Sequence, residues 1–294
     1  MEPNASALET ALVGSVVAAS LYVWSRIVAR WRTGQPLLPY EPRRDVPWGT
    51  IGLWPAVLIF CLAAFSAGQG DPDEAGLQEQ ADHFVESALA SAAIELSLIA
   101  ILSVALVVLH RASASDLGVP TRAQMWRRDL RLGAIACLAA MMPVYAVQML
   151  LMIAQGPELA EPHPLIRVLQ LRGDELALMA AALQAVVVAP VFEEFIFRLL
   201  LQGWLEKIER RWRWARYGDI AVTGRWAIAG SSALFALAHV GHGWDPIPLF
   251  VLALILGYVY RQTHRVAPCI VLHMLFNGFT LLVLWMTLEP VPVP

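Results

Sequence analysis

The chain contains few charged residues: Asp, Glu, Lys and Arg occupy 15% of its 294 positions. Soluble domains carry about a quarter. No polar stretch is long enough to fold around a core of its own, so a separate soluble domain is not expected. Hydrophobic residues make up 58% of the sequence, and many of them lie in long uninterrupted runs. This balance excludes an ordinary soluble protein and predicts helices that cross a lipid bilayer.

Cysteine is scarce, and the arrangement of the three cysteines excludes two common uses. Cys61, Cys137 and Cys269 all lie in apolar segments, without disulfide or metal-ligand spacing. We interpret them as buried apolar side chains. The sequence also lacks a His-Glu-x-x-His motif, which would place two zinc ligands on one helix. An internal repeat, which many transporters carry, is missing as well.

Eight apolar segments are candidates for membrane-spanning helices. They are Leu8–Ser25, Trp48–Ala67, Ala88–His110, Leu132–Ala154, Leu176–Leu205, Trp226–Val240, Ile247–Tyr260 and Val266–Leu288. We therefore predict an all-α fold, a polytopic integral membrane bundle of about eight transmembrane helices. Residues 1–294 form a single membrane domain, in which 1–173 hold four spans of generic character and 174–288 hold the other four.

The basic residues are distributed unevenly between the loops. Of the 21 Lys and Arg residues, 18 fall in the odd-numbered loops, 2 in an even-numbered loop and one, Arg198, inside a span. Because cytoplasmic loops are enriched in Lys and Arg, this pattern predicts that both termini are extracytoplasmic. In a bacterial cell the membrane would be the plasma membrane. Tryptophans near the span ends, Trp48 among them, are expected to be interfacial anchors.

The segment Leu176–Leu205 carries three charged side chains that lipid does not tolerate cheaply. Each charge at the centre of a span costs about 2.5–3.5 kcal/mol on insertion scales, so Glu193, Glu194 and Arg198 must be paired, hydrated or used. Glu194 and Arg198 are four residues apart and share a helix face, which predicts a structural ion pair. Glu193 points about 100° away and is available for chemistry.

Two later spans also carry polar side chains at helical spacing. Phe235 and His239 are four residues apart, as are His273 and Asn277. From the helical rise, His239 and Glu193 lie at similar depths of roughly 18–20 Å, with Asn277 near 16 Å. A free carboxylate, two imidazoles and an amide at one depth favour a hydrolytic site over unrelated helix contacts.

Other polar residues are assigned no chemistry. Glu95 and Gln184 lie inside spans and are interpreted as structural. His242 and His264 lie in a turn and a loop, and we expect both to face water. The closing residues 290–294 alternate proline and valine and predict an extended or disordered tail.

The polar motifs of the last third resemble those of the CPBP intramembrane proteases, also called the Abi or CAAX-protease-like family. That pattern is Glu-Glu-x-x-x-Arg, then Phe-x-x-x-His, then His-x-x-x-Asn on separate transmembrane helices. Here the three motifs are Glu193-Glu194-x-x-x-Arg198, Phe235-x-x-x-His239 and His273-x-x-x-Asn277. The resemblance covers roughly residues 176–288. One departure is Leu199, because the family arginine is commonly followed by glycine.

The resemblance implies an endopeptidase that cleaves membrane-associated proteins or peptides within or beside the bilayer, with no nucleic-acid partner. Glu193 would be the general base that activates water, assisted by His239. His273 and Asn277 would bind the developing oxyanion. Three motif residues would support the site structurally: Glu194, Arg198 and Phe235.

Two alternatives remain open from the sequence. In the first, Glu193, His239 and His273 bind zinc, and a metal-bound water performs the hydrolysis. The version expected here has no cofactor. In the second, the chain is a transporter or a non-catalytic membrane scaffold, in which the same polar residues only pair with one another. Coupled ion flux through the reconstituted protein would support a transporter.

Overall fold

A computed structural model describes residues 5–50, 58, 62, 74–120, 122–155, 164–172, 174–217, 224–240 and 245–287. Over these ranges the chain forms helices, turns and extended loops without a strand, which confirms the all-α prediction. The helices are α1 (Ala5–Arg32), α2 (Glu74–Asp82), α3 (Phe84–His110), α4 (Ala123–Gln155), α5 (Pro164–Arg172), α6 (residues 175–217), α7 (Arg225–Leu237), α8 (Pro246–Thr263) and α9 (Ala267–Thr287).

Local signals in the sequence explain where several helices begin and end. The side chain of Asp174 accepts a hydrogen bond from the backbone N–H of Ala177 at 2.7 Å and so caps the start of α6. That bond holds the pKa of Asp174 below its usual range. Pro246 occupies the first turn of α8, where its missing N–H costs nothing. His264 then ends α8 in the left-handed conformation.

Helix α6 is continuous, but two of its segments are π-helical. These are Ala182–Val188 and Phe195–Gln202, and the α-helical segment Ala189–Glu194 lies between them. Pro190 has no N–H to donate to the helix, and the wider π-helical turn comes directly before it. Such π-helical turns are frequent at functional sites. Both glutamates of the first motif therefore lie between two irregular turns.

The core lies between α4, α6, α8 and α9. Helices α4 and α9 approach so closely that a Cβ atom at Gly133 would lie 2.6 Å from Cβ of Val271, which explains why a glycine stands there. Large apolar side chains on α1 and α3 point outward instead, for example Ile94, Leu109 and Leu21. An exposed apolar surface on two long helices is suited to contact with lipid.

Six helical segments of the described chain are long and apolar enough to cross a membrane. They confirm a polytopic helical membrane protein. The predicted second span, Trp48–Ala67, falls largely outside the described residues. The predicted sixth span corresponds to α7, whose 13 residues extend only about 20 Å against a hydrocarbon core of about 30 Å. The number eight therefore stays a prediction.

The helices also extend further than the predicted spans. Helix α6 continues to Tyr217, so the basic residues predicted for loop five lie mostly on its last turns. These are Lys207, Arg210, Arg211, Arg213 and Arg216. Likewise α1 continues to Arg32 and includes the arginines predicted for loop one at 26, 30 and 32.

An extended segment, residues 41–48, lies across the end of the bundle where α8 terminates; we call it the strap. Arg44 pairs with the buried carboxylate of Asp116, and this guanidinium holds the pKa of Asp116 well below its usual range. Asp45 pairs with Arg210 at 2.8 Å. Lys207 Nζ donates to the carbonyl of Trp48 at 2.7 Å and so fastens the strap to α6.

Trp48, at the end of the strap, is fully buried, with 0% of its surface exposed. Its indole N–H donates to the carbonyl of Leu200 at 3.2 Å, inside the second π-helical segment. The prediction that Trp48 is an interfacial anchor is therefore wrong. The amphipathic ring packs inside the protein because a helix carbonyl there accepts its one donor.

Two predictions about histidine and cysteine can be compared with the structure. His264 is buried, its Nδ1 lying 2.8 Å from the carbonyl of Glu41 and its Nε2 3.1 Å from Oε2 of Glu206. The expectation that it faces water is wrong, and burial lowers its pKa. Cys137 and Cys269 are buried free thiols, as predicted. Cys61, His242 and the proline-rich tail lie outside the described residues.

Candidate active site

The structure brings Glu193, His239 and His273 together from three separate elements. Glu193 lies on α6, His239 in the turn that follows α7, and His273 on α9. The Oε1 atom of Glu193 is 3.8 Å from Nε2 of His239, and its Oε2 atom is 3.8 Å from Nε2 of His273. One carboxylate thus faces the Nε2 atoms of two imidazoles.

The second glutamate makes a different set of contacts. Glu194 Oε2 accepts a hydrogen bond from Arg198 Nε at 3.1 Å, so the predicted intrahelical pair is present. Its other oxygen, Oε1, lies 3.0 Å from Nδ1 of His273. Glu194 therefore joins the arginine of its own helix to a histidine of α9, a contact that the sequence did not reveal.

Burial separates the two carboxylates into different environments. The side chains of Glu194 and Arg198 are 0% exposed, whereas Glu193 and His239 keep 24% and 28% of their side-chain surfaces exposed. His273 is almost fully buried behind them. Glu193 and His239 are thus partly accessible from outside the protein, whereas Glu194 and Arg198 are fully enclosed.

The hydrogen bonds assign one proton of each imidazole. His239 Nδ1 lies 2.8 Å from the backbone carbonyl of Phe235, which can only accept, so this nitrogen carries the proton. His273 Nδ1 donates in the same way to the carboxylate of Glu194. In a neutral ring the Nε2 atom then bears a lone pair, and in both histidines this atom faces Glu193.

Phe235 is at the centre of these contacts and is fully buried. Its ring centroid lies 4.8 Å from that of His239 and 5.9 Å from that of His273. The Cζ atom of Arg198 lies 5.4 Å from the same ring centroid. One aromatic ring therefore fixes the spacing between both imidazoles and the guanidinium, and the cation benefits from the ring face.

Asn277, the last motif residue, lies one turn beyond His273 on α9 and is partly buried. Its Nδ2 donates to the carbonyl of Ala185 at 2.9 Å, within the first π-helical segment. An amide nitrogen carries two hydrogens, so one remains for another acceptor. Asn277 therefore joins α9 to α6 and keeps one donor that this bond does not use.

The embedded residues Glu95 and Gln184 form a hydrogen-bonded pair between α3 and α6. Gln184 Nε2 donates to Glu95 Oε1 at 2.7 Å. This contact agrees with the structural role expected for them.

The donor types around Glu193, two imidazoles and a carboxylate, are ones that zinc accepts. Within the described ranges, however, no group of three or more His, Cys, Asp or Glu side chains is arranged to hold a metal ion. The zinc alternative stays a prediction.

Two polar residues near Arg198 were not predicted from the sequence to belong to the site. Ser231 on α7 accepts a hydrogen bond from Arg198 Nη1 at 3.3 Å, and Gln202 on α6 contacts Ser231 in turn. A signal for Ser231 was available: it precedes Phe235 by four residues and His239 by eight, so all three share one helix face. Gln202 gave no comparable signal beyond being polar in an apolar run.

Comparison with known proteins finds similarity over part of the chain. Residues 175–279 match the family model described as type II CAAX prenyl endopeptidase Rce1-like. A stretch of 96 residues is 34% identical to the membrane-embedded CAAX protease MroQ of Staphylococcus aureus (strain USA300), covering 33% of this chain and 36% of that protein. The chain therefore aligns with about a third of that relative's length. No solved structure matches the chain.

Proposed function

Because residues 175–279 match the Rce1-like family, we propose that this protein is an intramembrane endopeptidase that uses a glutamate-activated water. Its substrates are membrane-associated proteins or peptides. The family match and the name of the relative support a CAAX-type protease, and the contacts around Glu193 support the glutamate mechanism. Residues 174–288 form the catalytic core of the single membrane domain, and residues 1–173 supply the remaining spans.

The observation that carries the proposal is the position of Glu193 between two imidazole Nε2 atoms, at 3.8 Å from each. This separation is too long for a direct hydrogen bond and suits a reacting water between the groups. The carboxylate is partly exposed, and the histidines are held by hydrogen bonds at Nδ1. Such an arrangement is preorganised for general-base chemistry.

In the proposed reaction, Glu193 takes a proton from the water while the oxygen of that water attacks the scissile carbonyl. His239 Nε2 accepts a hydrogen bond from the same water and orients it. A tetrahedral intermediate forms, with negative charge on the former carbonyl oxygen. Glu193 then passes its proton to the leaving amine, the C–N bond breaks, and a carboxylic acid and an amine are released.

His273 and Asn277 stabilise the oxyanion in this proposal. When His273 carries a proton on each nitrogen, Nδ1 donates to Glu194 and Nε2 becomes a second donor. Asn277 contributes the amide hydrogen that Ala185 does not use. Donors fixed in a water-poor site stabilise developing charge strongly, because they need not reorganise as it forms.

The charges of the buried support fit this role. Glu194 and Arg198 form a neutral pair, which leaves Glu193 as the one unbalanced charge of the first motif. The imidazole of His273 lies between the two carboxylates, with Nε2 3.8 Å from Glu193 and Nδ1 3.0 Å from Glu194. The pair Glu194–Arg198 therefore holds the histidine, while Glu193 carries out the proton transfer.

The same proposal places both termini outside the cytoplasm and the basic end of α6 inside, following the distribution of Lys and Arg. The site then lies within the bundle, below the membrane surface, where water is scarce. A membrane-anchored substrate can reach it by diffusing in the bilayer.

A comparison of membrane peptides tests this function and requires no known substrate. Cells producing the wild-type protein and cells producing Glu193→Gln at equal levels are compared by mass spectrometry of membrane-associated peptide ends. We expect a defined set of new peptide ends in the wild-type sample alone. Identical peptide profiles, with both proteins folded in the membrane, would contradict a protease.

A further inference from the structure

A chain of buried hydrogen bonds leads from the candidate site toward the end of α6. Its members, in order from the site, are His273, Glu194, Arg198, Ser231, Gln202 and Glu206. The four middle members are 0% exposed, and Glu206 is 4% exposed. Polar atoms this deep are costly to leave unpaired, so the side chains occupy defined orientations.

The orientation of Gln202 follows from its partners. Its Nε2 donates to the backbone carbonyl of Gly257 at 2.8 Å and to Oε1 of Glu206 at 3.2 Å. Both partners are acceptors, so a flipped amide would set oxygen against oxygen. The Oε1 atom of Gln202 is thereby directed at the hydroxyl of Ser231, 3.3 Å away.

The hydroxyl of Ser231 is fixed in turn. Its single proton has two acceptors within reach, Oε1 of Gln202 at 3.3 Å and the carbonyl of Ile228 at 3.2 Å. With that proton directed away, a lone pair of the oxygen is left for Arg198 Nη1, which donates to it at 3.3 Å. Ser231 therefore acts on Arg198 as an acceptor.

Arg198 has few other restraints. Its Nε donates to Glu194, and its face lies over Phe235. Its Nη2 atom is buried and has no hydrogen-bond partner among the described residues. Without Ser231, Nε would be the guanidinium's remaining hydrogen-bond anchor among the described residues. The guanidinium could then tilt, and a shift of its Nε would move the carboxylate of Glu194 that it holds and loosen the contact with His273.

We propose that Ser231 and Gln202 are positioning residues, which hold His273 in its reactive orientation through Arg198 and Glu194. The proposal rests on the function proposed above and assigns to these two residues a part in the same reaction. Neither residue touches the substrate. They determine the direction of the N–H bond at Nε2 of His273 when the oxyanion forms.

Ser232, the residue that follows Ser231 in the sequence, provides a matched control. Ser232 is also 0% exposed, and its hydroxyl has no hydrogen-bond partner among the described residues. Ser231→Ala and Ser232→Ala remove the same atom at neighbouring, equally buried positions of α7. A general packing or folding effect would affect both variants, whereas a positioning effect is confined to Ser231.

A spectroscopic measurement reads the positioning without any substrate. The protein is labelled with ¹⁵N-histidine in detergent micelles, and the His273 signals are assigned with His273→Gln. We expect Ser231→Ala to shift the Nδ1 signal of His273, which reports the hydrogen bond to Glu194, and Ser232→Ala to leave it in place. Equal spectra for the two serine variants would overturn the proposal.

A kinetic measurement connects the positioning to the reaction. The probe is an internally quenched peptide containing a cleavage sequence found by the peptide comparison above. Ser231→Ala should lower kcat by roughly 10-fold to 10²-fold at unchanged KM, since a small misplacement of a catalytic group has effects of this size. Ser231→Thr, which keeps the hydroxyl, should recover most of the rate. A change in KM alone, or equal rates for Ser231→Ala and Ser232→Ala, would contradict the proposal.

Gly257→Ala provides a second route if Ser231→Ala does not fold. A Cβ atom at Gly257 would lie 3.0 Å from Oε1 of Gln202. Gly257→Ala therefore displaces the side chain of Gln202 without removing a polar group. It should shift the same His273 signal, and an unchanged signal would count against the proposal. If the wild type and Glu193→Gln cleave the probe equally, the proposed function itself fails, and the spectra still decide whether Ser231 positions His273.

Discussion

The Nδ1 atom of His273 lies 3.0 Å from Oε1 of Glu194, although 79 positions separate the two residues in the sequence. Glu194 thus makes two contacts: it neutralises Arg198 on its own helix, and it orients a histidine on α9. The adjacent Glu193 faces the opposite side of that imidazole. Two consecutive carboxylates therefore approach the two nitrogens of one ring, and only the first is accessible from outside.

Replacing Arg198 by alanine should reduce both folded protein and activity. The substitution leaves Glu194 buried without its cation, and stranding one partner of a buried pair typically costs about 3–5 kcal/mol. Thermal unfolding and size-exclusion yield in detergent measure the loss. The double variant Glu194→Gln with Arg198→Met should recover part of the stability but not the activity, because His273 has also lost its carboxylate. Normal folding and full turnover in Arg198→Ala would show that the pair is dispensable.

Replacing Trp48 tests whether the strap is part of the folded core. Trp48→Phe keeps an aromatic ring and loses the hydrogen bond to the Leu200 carbonyl, which should cost about 0.5–1.5 kcal/mol. Trp48→Ala removes the ring as well and should cost about 3–5 kcal/mol. The exposed Trp31 supplies the matched control. Equal melting temperatures for Trp48→Ala and Trp31→Ala would contradict the burial described here.

Metal removal should leave the activity unchanged. The mechanism proposed above assigns every proton transfer to side chains, and the described residues hold no metal-binding group of three. Metal analysis of the purified protein should give far less than one zinc per chain, and incubation with a chelator should not slow turnover. Loss of activity with the chelator, restored by adding zinc, would favour the metal-dependent alternative.

Accessibility labelling should place residues 218–223 and the carboxyl terminus on opposite sides of the membrane. The distribution of basic residues, 18 in odd-numbered loops against 2 in an even-numbered one, predicts this arrangement. A cysteine reporter introduced at each position, in a background without native cysteines, measures it in intact cells. Labelling of both reporters from the same side would contradict the predicted topology.

The parts of the site that depend on one helix could be predicted from the sequence. Spacing by four residues placed Glu194 beside Arg198, because local helix geometry alone decides that contact. The composition likewise indicated a membrane bundle, since apolar runs of that length have few other uses.

Contacts between distant segments could not be predicted in the same way. The hydrogen bond between Glu194 and His273 depends on how α6 and α9 pack. The burial of Trp48 depends on the carbonyl of Leu200, which lies in a π-helical segment of α6 and accepts the indole N–H. His264 follows a helix end beside arginines, a position typical of exposed residues. It is buried because Glu41 and Glu206 supply partners for both ring nitrogens.

The most direct test of the central claim is the turnover of Glu193→Gln beside that of Glu194→Gln, with folded yield measured for both. Glutamine keeps the shape of Glu193 and removes its basicity, so the cleavage rate should fall by roughly 10²–10⁴ or more while the protein folds normally. Glu194→Gln should instead lower the folded yield first, because it strands Arg198. Cleavage by folded Glu193→Gln at nearly the wild-type rate would show that Glu193 is not the catalytic base.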